Sequence, residues 1–319
     1  MNGCFSGQRS GADAGSRGCA LWVKFAEMRV ARYRENRTRI ALLRDERGPV
    51  IERMSCQRHS SRVQQVHAVQ LDIIWEDKAA NRRRVRELVE KSAPTPDSLI
   101  ILPEMFSTGF SLDVHVTRQG AERDEESYLK ALAIEFRSFV TAGVVSPGEG
   151  ALSHNEAVAF APGGELLARY AKIHPFSLGG EAEAHAPGKG IVTFPWGELQ
   201  VAPFVCYDLR FPEIFRAAAR KGASVFVVMA LWPVKRQQHW LTLLQARAIE
   251  NQAYVIGVNR VGAEPKYQYA GRSVVVDPHG VIVADAGERE QVLSATLDPE
   301  VVSSWRREFP ALRDAHWSE

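Results

Sequence analysis

The stretch LQVAPFVCYDLRFPEIFRAAARKGASVFVVMA, residues 199–230, decides the fold class. LQVAPFVC (199–206) is an apolar run that reads as a strand. Pro212 opens a helix over 212–223, in the first turn where its missing N–H costs nothing. SVFVVMA (224–230) is a buried strand. Working outward, KRQQHWLTLLQARAIENQ (235–252) is a long helix that leads into the strand AYVIGVN (253–259). SVVVDPHGVIVAD (273–285) is a hairpin turning at Pro278-His279-Gly280. QVLSATL (291–297) is a strand, and a last helix spans 299–308. Upstream, VHAVQLDII (66–74) is a strand rich in β-branched residues. A helix with a basic outer face covers 76–92 and is broken by Pro94 and Pro96. SLIILPE (98–104) reads as a short strand buried on both faces, followed by a helix over 122–139 and a strand over 140–146. NEAVAFAPGGELLARYAK (155–172) is a pair of strands about Pro162-Gly163-Gly164. Strands alternate with helices, yet hairpins interrupt the alternation, and a purely parallel doubly wound sheet has no hairpins. The expectation is an α/β sandwich with mixed sheets.

Three side chains follow predicted strands. Cys206 stands at a strand-to-helix turn, where a thiol is held out of the sheet and backbone N–H groups can receive a developing oxyanion. Glu104 closes LIILP at the sheet end where α/β proteins build active sites. Lys172 closes the second strand of the Pro-Gly-Gly hairpin. Taken alone, Cys206 reads as core filler, Glu104 as a capping or loop carboxylate, and Lys172 as a solvated charge. Together they supply a thiol, a base for its proton and a fixed cation, which is what thiolate attack on a carbonyl requires.

PEMFSTGF (103–110), YAKIHPF (170–176) and VCYDLRFPEIFR (205–216) resemble, in order, the signature segments of the nitrilase superfamily of carbon–nitrogen hydrolases. The resemblance covers roughly residues 64–312 and implies an αββα sandwich. It implies Glu104 as general base, Lys172 as stabiliser of the tetrahedral intermediate and Cys206 as nucleophile, with Tyr207 contributing its backbone at the oxyanion. A second glutamate is implied seven residues before a glycine; GGEAEAHAPG offers Glu181 and Glu183, and Glu181 stands seven before Gly188. Arg247, Glu250 and Asn251 are implied as supports of the site and of a subunit contact. MFSTGF, CYDLRFP and ALWP…HW…ARAIENQ look closest to the omega-amidase branch, which releases ammonia from 2-oxoglutaramate or 2-oxosuccinamate. Phe110, Phe176, Arg210 and Trp232, with Tyr207, are then candidates for the pocket wall. Leu231 stands where that branch usually has Asn, and Arg272 where it often has an acid, both placed by the resemblance near the substrate mouth. Hydrolysis of an N-carbamoyl amino acid, an aliphatic amide or a nitrile uses the same machinery and stays open. The resemblance also implies a homodimer, with a small amide and water as partners.

Composition narrows the remaining classes. The chain has 319 residues, 45% hydrophobic and 24% charged, with a formal net charge of +2, enough to bury a full core and no signal for nucleic acid or membrane. Residues 1–62 carry a local balance of +7, so the body is at −5. Cys4, Cys19 and Cys56 also lie in that first stretch, leaving Cys206 alone in the body, a pattern of a reduced, cytoplasmic protein. No CxxC pair or zinc-spaced cluster stands out, so neither metal nor cofactor is expected. Residues 1–60 read as an Arg-rich extension, disordered or preceding the true start, and 61–319 as the hydrolase domain. A silent scaffold with a basic arm is the reading from another class; the retention of Glu104, Lys172 and Cys206 argues against it.

Overall fold

A computed structural model describes residues 63–148 and 150–316. The extension expected over 1–60 lies outside the described residues. In chain order the elements are β1 (Gln64–Gln70), α1 (Lys78–Ser92), β2 (Leu99–Ile101), α2 (Val114–Thr117), α3 (Asp124–Phe136), β3 (Phe139–Pro147), β4 (Ser153–Phe160), β5 (Leu166–Ala171), α4 (Glu181–Ala184), β6 (Phe194–Trp196), β7 (Leu199–Val205), α5 (Pro212–Arg220) and β8 (Val225–Ala230). They continue with α6 (Gln237–Asn251), β9 (Tyr254–Asn259), β10 (Val261–Ala263), β11 (Gln268–Ala270), β12 (Val274–Val276), β13 (Ile282–Asp285), β14 (Gln291–Leu297), α7 (Pro299–Glu308) and α8 (Ala311–Asp314).

Two six-stranded sheets form, ordered β14-β1-β2-β3-β4-β5 and β13-β12-β9-β8-β7-β6. Each has three parallel strands at its centre, β1-β2-β3 and β7-β8-β9, flanked by antiparallel ones. The helix-linked segments give the parallel centres, and the hairpins foreseen at Pro162 and Pro278 give antiparallel edges. β10 and β11 pair as a separate ribbon.

Period-two alternation sorts the first sheet's two faces. Leu99 and Ile101 join Val66, Ala68 and Tyr170 in one core with Phe204, Val228 and Val255 of the second sheet. Ile100 points the other way and joins Val85 and Val89 of α1 and Leu129 and Leu132 of α3. On the second sheet Phe215 and Ala218 of α5 and Trp240 and Leu244 of α6 belong to the core. Helices thus cover the outer face of each sheet, the αββα arrangement expected. Every residue of β8 is buried, and each large side chain there contributes roughly 1.5–3 kcal/mol by leaving water.

Differences from expectation are local. The strand expected over 98–104 closes at Ile101, because Pro103 has no N–H to continue a ladder. Beyond it, Leu102 N–H still reaches Thr141 O (2.9 Å), so the chain leading to Glu104 stays tied to β3. The three-residue strands β6, β10 and β11 are too short to show a periodicity and were not foreseen.

Candidate active site

Each candidate side chain is aimed by its local backbone. Glu104 passes so close to β3 that a Cβ on Gly143 would lie 2.5 Å from its Cα, a separation real atoms do not adopt. Gly143→Ala must push Glu104 out of place; we expect a loss of about 1–3 kcal/mol in stability, read by thermal melting, and a fall in turnover larger than that loss explains. Lys172 follows β5 directly, its N–H bonded to Asn155 O and its carbonyl accepting from Gly188 N–H (both 2.8 Å). Cys206 follows β7 and opens a short 3-10 turn, Cys206–Arg210, with φ at +46°. A non-glycine residue there is strained, and the surroundings must hold it.

Asp208 and Arg247 do the holding. Asp208 Oδ2 accepts from Tyr170 O–H (2.8 Å) and Val205 N–H (3.2 Å), and Oδ1 from His174 N–H (3.0 Å) and His174 Nδ1 (2.9 Å). The Asp thereby ties the cysteine turn to the segment that carries Lys172. Arg247 Nη2 donates to Leu209 O (2.7 Å) from the helix side, while Nη1 meets Glu250 Oε1 at 3.1 Å. Asn251 Nδ2 reaches Arg247 O at 2.9 Å, so the three residues expected as supports stand together behind the cysteine turn.

Glu104, Lys172, Glu181 and Cys206 come together where the two sheets meet. Lys172 Nζ donates to Glu104 Oε1 (2.9 Å) and to Glu181 Oε1 and Oε2 (3.0 and 2.8 Å). Glu104 Oε2 accepts from Leu231 N–H (2.9 Å), and Glu181 Oε2 from Phe176 N–H (2.6 Å). All three charged side chains are essentially out of water, whereas Glu183 is exposed, so of the two glutamates offered by GGEAEAHAPG only Glu181 enters the cluster. Cys206 is partly exposed, its thiol 3.9 Å from Leu231 O.

Burial opposes charge on Lys172, but the two carboxylates outweigh it and hold the ammonium firmly protonated. Burial presses Glu181 upward, and the Lys172 charge with hydrogen bonds from Lys172, Phe176 and Asn155 brings it below the ordinary carboxylate range. Burial pushes the Cys206 thiol well up; Glu104 and Glu181 add to this, and only Lys172 among the charges pulls it down. At rest the sulfur is therefore a thiol, and its proton must leave as it attacks. His185, buried beside the cluster, is pushed down to about 4 by burial and adds no charge near neutral pH.

A cavity opens over Cys206, lined by Lys172, Leu231 and every foreseen wall residue: Phe110, Phe176, Tyr207, Arg210 and Trp232. Arg236, Tyr267 and Tyr269 also line it and were not foreseen. Arg236 sits inside what reads as an ordinary basic helix start, and the two tyrosines come from the ribbon region that the sequence pattern did not resolve. Leu231 holds Glu104 and Cys206 through its backbone, so the atypical side chain leaves that hold intact. Arg272 is not among the lining residues; it pairs with Asp285 of β13, correcting its expected place at the mouth.

The family model of carbon–nitrogen hydrolases matches residues 65–307. The 2-oxoglutaramate amidase of Bacillus subtilis (strain 168) is 31% identical over 252 residues, covering 78% of this chain and 96% of that protein. Omega-amidase YafV of Yersinia enterocolitica is 36% identical over 250 residues, covering 77% and 94%. The solved structure of XC1258 from Xanthomonas campestris, a superfamily member with an arsenic adduct in its active site, aligns with a TM-score of 0.75. It is 32% identical and covers 81% of this chain and 98% of its own.

Proposed function

The chain belongs to the carbon–nitrogen hydrolase family, and from that premise we propose that it is an omega-amidase, releasing ammonia from the terminal amide of a 2-oxo dicarboxylic acid such as 2-oxoglutaramate. One observation supports this choice among amides. Arg210 and Arg236 both reach the cavity, stacked on Trp232 (4.8 Å) and Phe176 (5.6 Å), and among the described residues neither is paired with a carboxylate. Burial, with the charge of Arg236, presses the Arg210 guanidinium downward. Two neighbouring cations without an anion suit a substrate that brings one.

On this reading Glu104 takes the thiol proton as Cys206 Sγ attacks the amide carbon. The oxyanion receives Lys172 Nζ–H and Tyr207 N–H. Glu104 returns the proton to the amide nitrogen, the C–N bond breaks and ammonia leaves. Water then attacks the thioester with Glu104 again as base, freeing the acid and restoring the thiol. The homodimer that the resemblance implies and the cytoplasmic location read from the cysteine pattern belong to the same proposal, and sedimentation velocity reads the first. Among the described residues no helix is long and apolar enough to cross a membrane.

The test is a panel scored by kcat/KM: 2-oxoglutaramate, an N-carbamoyl amino acid and a neutral aliphatic amide. The keto-acid amide should lead by 10-fold or more. Arg236→Leu should lower its kcat/KM by roughly 10- to 100-fold, the worth of a charge-assisted hydrogen bond, and leave the neutral amide within a few-fold. A preference for the neutral amide would overturn the substrate reading.

A further inference from the structure

Asn155, the third residue of β4, is buried, and its single amide nitrogen lies 2.8 Å from two different carboxylate oxygens, Glu104 Oε1 and Glu181 Oε1. Those are the same two oxygens that accept from Lys172 Nζ, at 2.9 and 3.0 Å. The amide group has two hydrogens, one for each. Each shared oxygen therefore has two donors, one from the ammonium and one from the amide.

The ammonium has three hydrogens, and in this geometry its three contacts all go to carboxylate oxygens. It can turn an N–H to an oxyanion only by leaving one of them. In a buried site an oxygen left bare carries the full cost of its lost hydrogen bond. Resting on the amidase reading above, we propose that Asn155 is the positioning residue that makes this exchange cheap. It keeps Glu104 and Glu181 in place and hydrogen-bonded while Lys172 redirects one N–H to the tetrahedral intermediate. Glu181 is suited to be the released partner, because Phe176 N–H holds its Oε2 and Asn155 its Oε1. Asn155 does not line the cavity, so it acts through these groups and not on the substrate.

The role predicts a readout that a filler residue would not move. Removing the amide should lower kcat and leave KM nearly unchanged, since ground-state contacts with substrate are untouched.

The experiment measures kcat and KM for wild type, Asn155→Ser and Asn155→Leu with 2-oxoglutaramate, alongside melting temperatures. Asn155→Ser is the smaller side chain and is the variant that secures a folded sample. The expected result is a roughly hundredfold fall in kcat with KM within about threefold. A folded variant with kcat within about twofold of wild type, or one whose loss is carried by KM, would overturn the proposal. A wild type inactive on 2-oxoglutaramate but active on another amide sinks only the substrate reading, and the same constants are then taken with that amide.

Discussion

Cys206→Ala removes turnover and leaves the fold standing. Loss of a nucleophile with no neighbour able to replace it lowers kcat by about 10⁴-fold or more in acyl-transfer enzymes. Among the described residues no second cysteine exists, and Lys172 is held protonated. Stability should change by less than about 1 kcal/mol, because the thiol's one hydrogen-bond contact is the long approach to Leu231 O at 3.9 Å. Ammonia release and a thermal melt on the same sample read both halves. Residual turnover near the wild-type level would move the nucleophile elsewhere.

Lys172→Met should cost both activity and stability. The ammonium is the only cation touching Glu104 and Glu181 among the described residues, and its removal leaves two buried carboxylates held by Asn155 and two backbone N–H groups. Breaking a buried pair in this way costs about 3–5 kcal/mol, a drop of roughly 10 °C in a domain of this size. The pH dependence should reverse in sign. In the wild type Glu181 is held below its ordinary value of 4.5, so its stabilisation is present above that pH and lost as pH falls through the folded value. In the variant the burial of Glu181 is no longer opposed by the Lys172 charge, so its carboxyl is pushed up and the protein gains stability as the pH is lowered through the folded value. Lys172→Met with Glu181→Gln should recover much of the melting temperature and none of the turnover.

Much of this is legible in the sequence. The long helices and long strands follow from the sequence pattern, whereas the four-residue helices α2, α4 and α8 are too short to show a periodicity; the four clustered residues follow from three short motifs and a glutamate spacing that the family resemblance supplies. What stayed hidden was hidden for physical reasons. Asn155 stands among the polar residues Ser153, His154 and Glu156 at the start of β4, and nothing local marks it out as the donor shared by two glutamates from segments 51 and 26 residues away. Leu231 acts through its N–H and carbonyl, which every residue has. Asp208 was visible as a polar residue after a buried strand, but its four donors come from Tyr170, His174 and Val205, a network only the folded chain assembles. Arg272 misled because a hairpin residue can face either the mouth or its partner strand, and Asp285 decided it.

The claim that Cys206 carries the acyl group is tested most directly by mass. Enzyme mixed with excess 2-oxoglutaramate is quenched in acid within the first turnovers, digested and mapped. The account predicts a mass increase equal to the substrate acyl group on the peptide containing Cys206, absent in Cys206→Ala and lost when wild type is left to finish turnover. An acyl group mapped to any other side chain, in enzyme still turning over, would contradict it.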